Sequence, residues 1–289
     1  MTLNLTRAPL KKQKIAILGV GLLGGSLALA LKKNKGIQLV GWSRRASSRR
    51  EASRILRMVP TLTEAVKGAQ TVVVCTHSGQ VTETLPLIAG GADPDALILD
   101  VSSAKVEIAR SASLIPWASR HFVPCHPMAG KEKSGVKHAD GNLYRNKIVF
   151  ITPLKGNPPA LVRQAAAFWK KTGGLPIFLT PARHDRFVAL TSHLPHLLGA
   201  LLVHLYGAAQ KRDPSIQKAV GTGFRDFTRI AAGNPSMWED IVRMNRGEIL
   251  FFLRQYQKGL SVLEREVRNA KPGYWKSFFE KAKEVRESL

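Results

Sequence analysis

Over residues 1–181 the chain alternates short apolar runs with stretches whose apolar side chains recur at helical spacing. KIAIL at 14–18 is the first such run. Glycines follow it, and then the helical pattern LLGGSLALALKK. QLVGWS (38–43) predicts a second strand, and residues 49–57 predict a helix. TVVVC (71–75) and LILDV (97–101) are apolar runs rich in β-branched residues, the pattern of strands covered on both faces. FVPCH (122–126), KIVFIT (147–152) and GGLPIFLTP (173–181) predict three more strands, with a helix over 158–171 before the last. Strands alternating with helices predict an α/β layer structure around one mainly parallel sheet.

After Pro181 strand-like runs stop and helical patterns continue to the end. The boundary predicts a Rossmann-type dinucleotide-binding domain at 1–181 and an all-α domain at 182–289. The pattern over 185–206 is apolar almost all round, so this helix is expected to be buried in a core or between two subunits of a homodimer. The same stretch contains three histidines, a proline and two hydroxyl residues, which argues against a membrane span. The N-terminus lacks the long apolar core of a signal peptide. Two cysteines, Cys75 and Cys125, make neither a disulfide framework nor a metal spacing. A cytoplasmic setting is expected.

The net charge of +24 changes the picture less than its size implies. Of 44 Lys and Arg, 22 lie in residues 1–150 and 22 in 151–289, with no basic tail. Such a spread reads as a solvated basic surface that also helps draw in an anionic substrate, not as a nucleic-acid site.

Residues 19–24 spell Gly-x-Gly-x-x-Gly between a predicted strand and a predicted helix, the context in which that motif binds a dinucleotide. Gly19 allows the tight turn, Gly21 a close approach of pyrophosphate, and Gly24 close packing of helix on strand. Leu22 and Leu23 within the motif, and Thr76 after the third strand, are assigned to the same site. An acid normally follows the second strand and holds a ribose hydroxyl. Here the position holds Ser43, Arg44 and Arg45, with Ser47 and Ser48 behind them. A hydroxyl donor and a guanidinium favour a 2′-phosphate, so the expected cofactor is NADP.

Ligands of open α/β sheets lie beyond the carboxyl ends of the strands. LILDV is followed by Ser102, Ser103 and Lys105, and FVPC by His126. A neutral histidine suits removal of a hydroxyl proton near pH 7. Adjacent strand residues face opposite ways, which discounts a Cys125–His126 nucleophile. His193 and His196 have helical metal-site spacing but no third ligand, so no metal is expected.

Five blocks, GVGLLGGSLA, DVSSAK, HPMAGKEKSGV, SHLPH and GFRDFTRIAAGNPSMW, together resemble the prephenate/arogenate dehydrogenases of tyrosine biosynthesis, in the family's order and over about residues 14–240. The resemblance implies oxidative decarboxylation of arogenate or prephenate, with a lean towards arogenate or both. It implies that His126 takes the hydroxyl proton, with Ser103 as its hydrogen-bonding partner. Arg229 looks like the clamp on a substrate carboxylate and His196 like a substrate contact, with Arg225 and Glu132 in supporting roles. This chain departs from the family pattern at Ser102, where glycine is usual, and in lacking the acid after the second strand. The rival expectations are another NADP-linked dehydrogenase or imine reductase with a helical dimer domain, and a non-catalytic NADP sensor. Trp238 is expected in the core.

Overall fold

A computed structural model describes residues 12–131, 133–269 and 272–288. The chain opens with β1 (Gln13–Leu18), α1 (Leu22–Leu31), β2 (Ile37–Trp42), α2 (Ala46–Ala52), β3 (Arg57–Met58), α3 (Leu62–Val66) and β4 (Thr71–Val74). It continues through α4 (Val81–Ala89), β5 (Leu97–Asp100), α5 (Val106–Ser113), α6 (Pro116–His121) and β6 (Phe122–Val123). The six strands form one parallel sheet in the order β3-β2-β1-β4-β5-β6. The order reverses between β1 and β4, which opens a crevice at their carboxyl ends.

Both faces of this sheet are covered, and single strands show it. Ile15, Ile17, Val73, Leu97 and Leu99 belong to one buried cluster, while Ala16, Leu18, Val72, Val74 and Ile98 belong to the other. Each such aliphatic side chain contributes roughly 1.5–3 kcal/mol on burial. Strands apolar at every position are therefore stabilised on both sides, which is why these runs lack polar alternation.

The expectation of one sheet needs correction. FVPCH is not one strand: Phe122 and Val123 pair with β5, while β7 (Cys125–Pro127) belongs to a second sheet. Pro124 separates them because it has no N–H for a ladder. In the second sheet β7 runs antiparallel to β8 (Ile148–Ile151), and β8 runs parallel to β9 (Leu175–Phe178), with α7 (Pro159–Lys171) between those two in sequence. The helix expected over 49–57 also differs: α2 covers Ala46–Ala52, and Arg57–Met58 is a short edge strand on β2.

From Pro181 the described chain is helical. A continuous rod runs through α8 (Pro181–Val188), a π-helical turn (Ala189–His193) and α9 (Leu194–Arg212). The widened turn has a local cause. Pro195 lacks an N–H, and its ring would collide with the Thr191 carbonyl in regular α geometry. The rod is followed by α10 (Thr222–Thr228), a 3-10 turn (Arg229–Ala232), α11 (Pro235–Met244), α12 (Arg246–Asn269) and α13 (Tyr274–Glu287). The rod is long and apolar enough to cross a membrane, with a mean hydropathy of 1.4 over its most apolar window. It also buries His184 and Asp185, which tie it to the sheet half of the protein, and His193, which stands against Asn245 of the helical half. Its outer face is apolar and open in the single chain: Leu201 is 54% and Leu205 61% exposed.

Candidate active site

The glycine motif lies at the sheet's switch point. Gly19 has φ +92°, and a Cβ there would stand 2.6 Å from the Cys75 carbonyl oxygen, so only glycine fits. A Cβ on Gly24 would collide with the Gly19 carbonyl oxygen. Gly21, the residue before α1, has open space where a side chain would be, and no side chain caps the helix. A helix start of that kind, with unspent N–H groups and room in front, fits a pyrophosphate. Leu22 and Leu23 form the first turn of α1 and pack on the core, and the Leu23 carbonyl accepts from the Tyr144 hydroxyl at 2.7 Å. Thr76 supplies a buried Oγ1 without a hydrogen-bond partner among the described residues.

The loop after β2 is more ordered internally than its sequence implies. The Ser43 hydroxyl accepts the Val20 N–H at 2.9 Å, fastening the glycine turn to the end of β2, and still has its own hydrogen to donate. Arg49 donates to the Ser43 and Arg44 carbonyls at 2.7 and 2.8 Å, so it shapes the loop. Arg44 and Arg45 are exposed, and Ser48 is half-buried in the first turn of α2. With the Gln80 amide turned so that its oxygen faces the guanidinium, that oxygen accepts from Arg44 Nη1 and Nη2 at 3.1 and 3.2 Å. A residue following β4 thereby orients an arginine following β2.

Asp100, at the carboxyl end of β5, positions the catalytic candidate. Its carboxylate accepts from the Cys125 N–H at 2.8 Å, the Ser102 N–H at 3.1 Å and Lys105 Nζ at 2.6 Å. Asp100 and Lys105 are fully buried. The acid thus joins the first sheet to β7, and the next residue is His126. Ser103 lies half-buried in the turn between Asp100 and Lys105.

His126 is 7% exposed, and its Nδ1 stands 2.8 Å from His184 Nε2. His184 Nδ1 in turn stands 2.7 Å from Asp185 Oδ1. The roles follow from the far end. The Asp185 carboxylate accepts, so His184 Nδ1 carries the hydrogen. With His184 neutral, its Nε2 accepts, so His126 Nδ1 donates and His126 Nε2 is left with its lone pair. Burial and the neighbouring His184, Lys105 and His193 push the His126 pKa well below the usual histidine value, which keeps the ring neutral. Burial also lowers that of His184, against the opposing pull of Asp185. Asp185 is itself fixed by the Lys105 and Val106 N–H groups at 2.7 and 2.9 Å, at the start of α5. Burial pushes the neighbouring Cys125 thiol up to about 12, so it stays protonated and is no nucleophile.

The expected hydrogen-bonding partner of His126 is Ser103, but His126 Nδ1 donates to His184, a residue that sequence reasoning missed. Its signal was there: a His-Asp pair at the head of an apolar helix needs a polar reason to be buried.

Further along the rod, His196 Nδ1 donates to the Ser192 carbonyl at 2.8 Å, and its ring lies over Trp238 with centroids 4.3 Å apart. Trp238 is half-buried, not the core residue expected. Gly233 packs on the Trp238 ring, and Gly199 faces Ile230, so the Arg229–Ala232 turn sits beside His196. Arg225 and Arg229 are one helical turn apart and exposed, and the Arg229 N–H caps the Arg225 carbonyl. Glu132 lies outside the described residues.

A parallel sheet of this order, a glycine turn at its switch point and a buried neutral histidine supported from a helical half define a dinucleotide-binding oxidoreductase. The chain belongs to the prephenate dehydrogenase family: the sequence model of its nucleotide-binding domain matches residues 27–177 and that of its dimerization domain matches 180–283. The chain is 32% identical over 286 residues to the prephenate dehydrogenase of Bacillus subtilis, covering 96% of this chain and 76% of that one. It is 29% identical to the cyclohexadienyl dehydrogenase of Zymomonas mobilis, covering 95% of each. Its fold is similar to that of the crystal structure of A. aeolicus prephenate dehydrogenase in complex with hydroxyphenyl propionate and NAD+ (TM-score 0.89, 26% identity, 97% of this chain and 99% of the other). It is also similar to Synechocystis arogenate dehydrogenase (TM-score 0.80, 28% identity, 95% and 99%).

Proposed function

We propose that the protein is an NADP-preferring dehydrogenase that oxidatively decarboxylates arogenate, prephenate or both, giving tyrosine and 4-hydroxyphenylpyruvate respectively. The observation that carries this reading is the His126–His184–Asp185 chain, which leaves one buried, neutral imidazole nitrogen as an acceptor.

Gly19, Gly21, Leu22, Leu23, Gly24 and Thr76 would hold the pyrophosphate and nicotinamide half, and Ser43, Arg44, Arg45 and Ser48 the 2′-phosphate. A bound oxidised nicotinamide would supply the acceptor for the hydride on the ring carbon that bears the substrate hydroxyl. His126 Nε2 takes the hydroxyl proton as that hydride leaves. The resulting imidazolium is stabilised through His184, whose own proton faces the Asp185 carboxylate. The bond from the ring to its carboxylate then breaks, CO2 departs, and the electron pair completes the aromatic ring. His126 returns the proton to the phenolate oxygen. Aromatisation drives the reaction, so the protein's work is orientation and proton placement. Ser103 is read as a second polar neighbour of the reacting hydroxyl. His196 and Arg229 are read as substrate contacts, the guanidinium gripping a carboxylate bidentately, with Arg225 and Glu132 supporting.

The protein is further read as a cytoplasmic homodimer. Leu201 and Leu205 of α9, with Leu260 and Val267 of α12, are 49–65% exposed in the single chain and would be covered by a second copy. The test of the function is steady-state kinetics with both substrates against both cofactors. Turnover of prephenate or arogenate with a preference for NADP is expected. No turnover of either substrate overturns the reading, and a clear NAD preference overturns the role given to the β2 loop.

A further inference from the structure

A second buried imidazole in the site is held in the opposite tautomer to His126. Asn245 fixes it. The Asn245 Nδ2 group donates to the Asp185 carbonyl at 2.8 Å, and a carbonyl only accepts, so this end of the amide is the nitrogen. The same Nδ2 stands 3.1 Å from His193 Nδ1, which must therefore accept. Burial pulls the His193 pKa down to about 4, so near neutrality the ring carries one hydrogen, on Nε2. His193 is 1% exposed, and its Nε2 has no hydrogen-bond partner among the described residues.

A buried N–H donor without an acceptor is costly, and a phenylalanine would fill such a volume without that cost. The ring stands edge-on to Trp238 with centroids 6.1 Å apart, beside the His196–Trp238 pair. It ends the π-helical turn that Pro195 imposes, a distortion frequent at functional sites. Asp185 therefore organises two neutral imidazoles. Its carboxylate sets His126, through His184, as an acceptor, and its carbonyl sets His193, through Asn245, as a donor.

We propose that His193 is a substrate-recognition residue whose Nε2–H donates to a carboxylate oxygen of the bound substrate. The proposal rests on the dehydrogenase reading above. A neutral donor suits a carboxylate in a reaction that expels CO2, because it holds the group without adding a positive charge that resists its loss.

The test uses the full-length protein and two variants. His193→Phe removes the donor at similar volume, and His193→Gln restores an N–H. The expected result for His193→Phe is a 10- to 100-fold fall in kcat/KM, carried mainly by KM, with NADP affinity unchanged, and recovery of most of the loss in His193→Gln. Binding of hydroxyphenyl propionate, which lacks the ring carboxylate, locates the contact. Affinity kept in His193→Phe assigns it to the ring carboxylate, and affinity lost assigns it to the side-chain carboxylate. A His193→Phe enzyme within twofold of wild type overturns the proposal. Should that variant not fold, 15N-histidine spectra of the wild type decide. The His193 Nε2–H signal is expected to move on adding arogenate or prephenate without cofactor. A signal unmoved while substrate binds overturns the proposal. A wild type that turns over neither substrate overturns the parent reading instead.

Discussion

His184 stands between His126 and Asp185, 2.8 Å from the Nδ1 of one and 2.7 Å from the Oδ1 of the other. It bridges residues carried by different halves of the chain, since His126 lies on β7 and Asp185 on α8. Replacing His184 with phenylalanine removes the acceptor that selects the His126 tautomer. The expected outcome is a fall in kcat of about 10²-fold or more, in line with the weight of a positioned general base. NADP affinity is expected to stay within twofold. Stopped-flow turnover and cofactor titration check this, and an unchanged kcat would remove His184 from the mechanism.

The pH dependence has a definite sign. His126 must be neutral to accept a proton, and its folded pKa lies below 6.5. The acid limb of kcat/KM is therefore expected to have its midpoint below pH 6.5, with a plateau through neutrality. A limb centred at or above 6.5 would contradict the burial argument.

Stability follows the same linkage. His126, His184 and His193 all have folded pKa values lowered below that of a free histidine. Below pH 6.5 the unfolded chain takes up protons that the folded chain refuses. Stability is thus full above about pH 6.5 and falls as pH drops below it, by up to about 1.4 kcal/mol per pH unit for each histidine. Urea unfolding at pH 7.5 and pH 5 measures the difference. Equal stabilities would show that these rings are not held neutral.

The Asp100–Lys105 pair is fully buried, and the same Asp100 carboxylate joins the two sheets through the Cys125 N–H. Lys105→Met leaves an uncompensated carboxylate and is expected to cost roughly 3–5 kcal/mol. Adding Asp100→Asn to it should recover part of that loss, because the buried charge disappears. Thermal unfolding of the single and double variants tests the pair; a double variant less stable than the single one would contradict this account.

Several of these relationships were readable from the chain, and others were not, for identifiable reasons. Gly19, Gly21 and Gly24 act within one turn, so their spacing is their signature. His126 was legible because it lies just beyond Phe122–Val123, and the chain that follows a parallel strand marks the ligand side of an α/β sheet, although the residue itself falls within β7 of the second sheet. His184 and Asp185 gave only the local sign of a His-Asp pair at the head of an apolar helix, and Asn245 gave none: the bonds from His184 to His126, from Asn245 to Asp185 and from Lys105 to Asp185 cross 58 to 80 residues. The split of FVPCH at Pro124 turns on sheet pairing, which a five-residue apolar run does not encode. The Arg44–Gln80 contact likewise joins two loops that only the sheet order brings together.

For the cofactor loop, Arg44→Ala is expected to weaken NADP binding about tenfold to a hundredfold, the range for hydrogen bonds to a charged group, and to leave NAD binding nearly unchanged. Fluorescence titration with both dinucleotides checks it. Equal losses for the two would place Arg44 elsewhere than at the 2′-phosphate.

The most direct measurement is turnover by His126→Asn beside the wild type, with NADP affinity determined on both. If the side chain at 126 is where the hydroxyl proton goes, the substitution lowers kcat by about 10²- to 10⁴-fold and leaves the cofactor dissociation constant in place. A variant that still converts prephenate or arogenate within a few-fold of the wild-type rate would show that the proton leaves by another route.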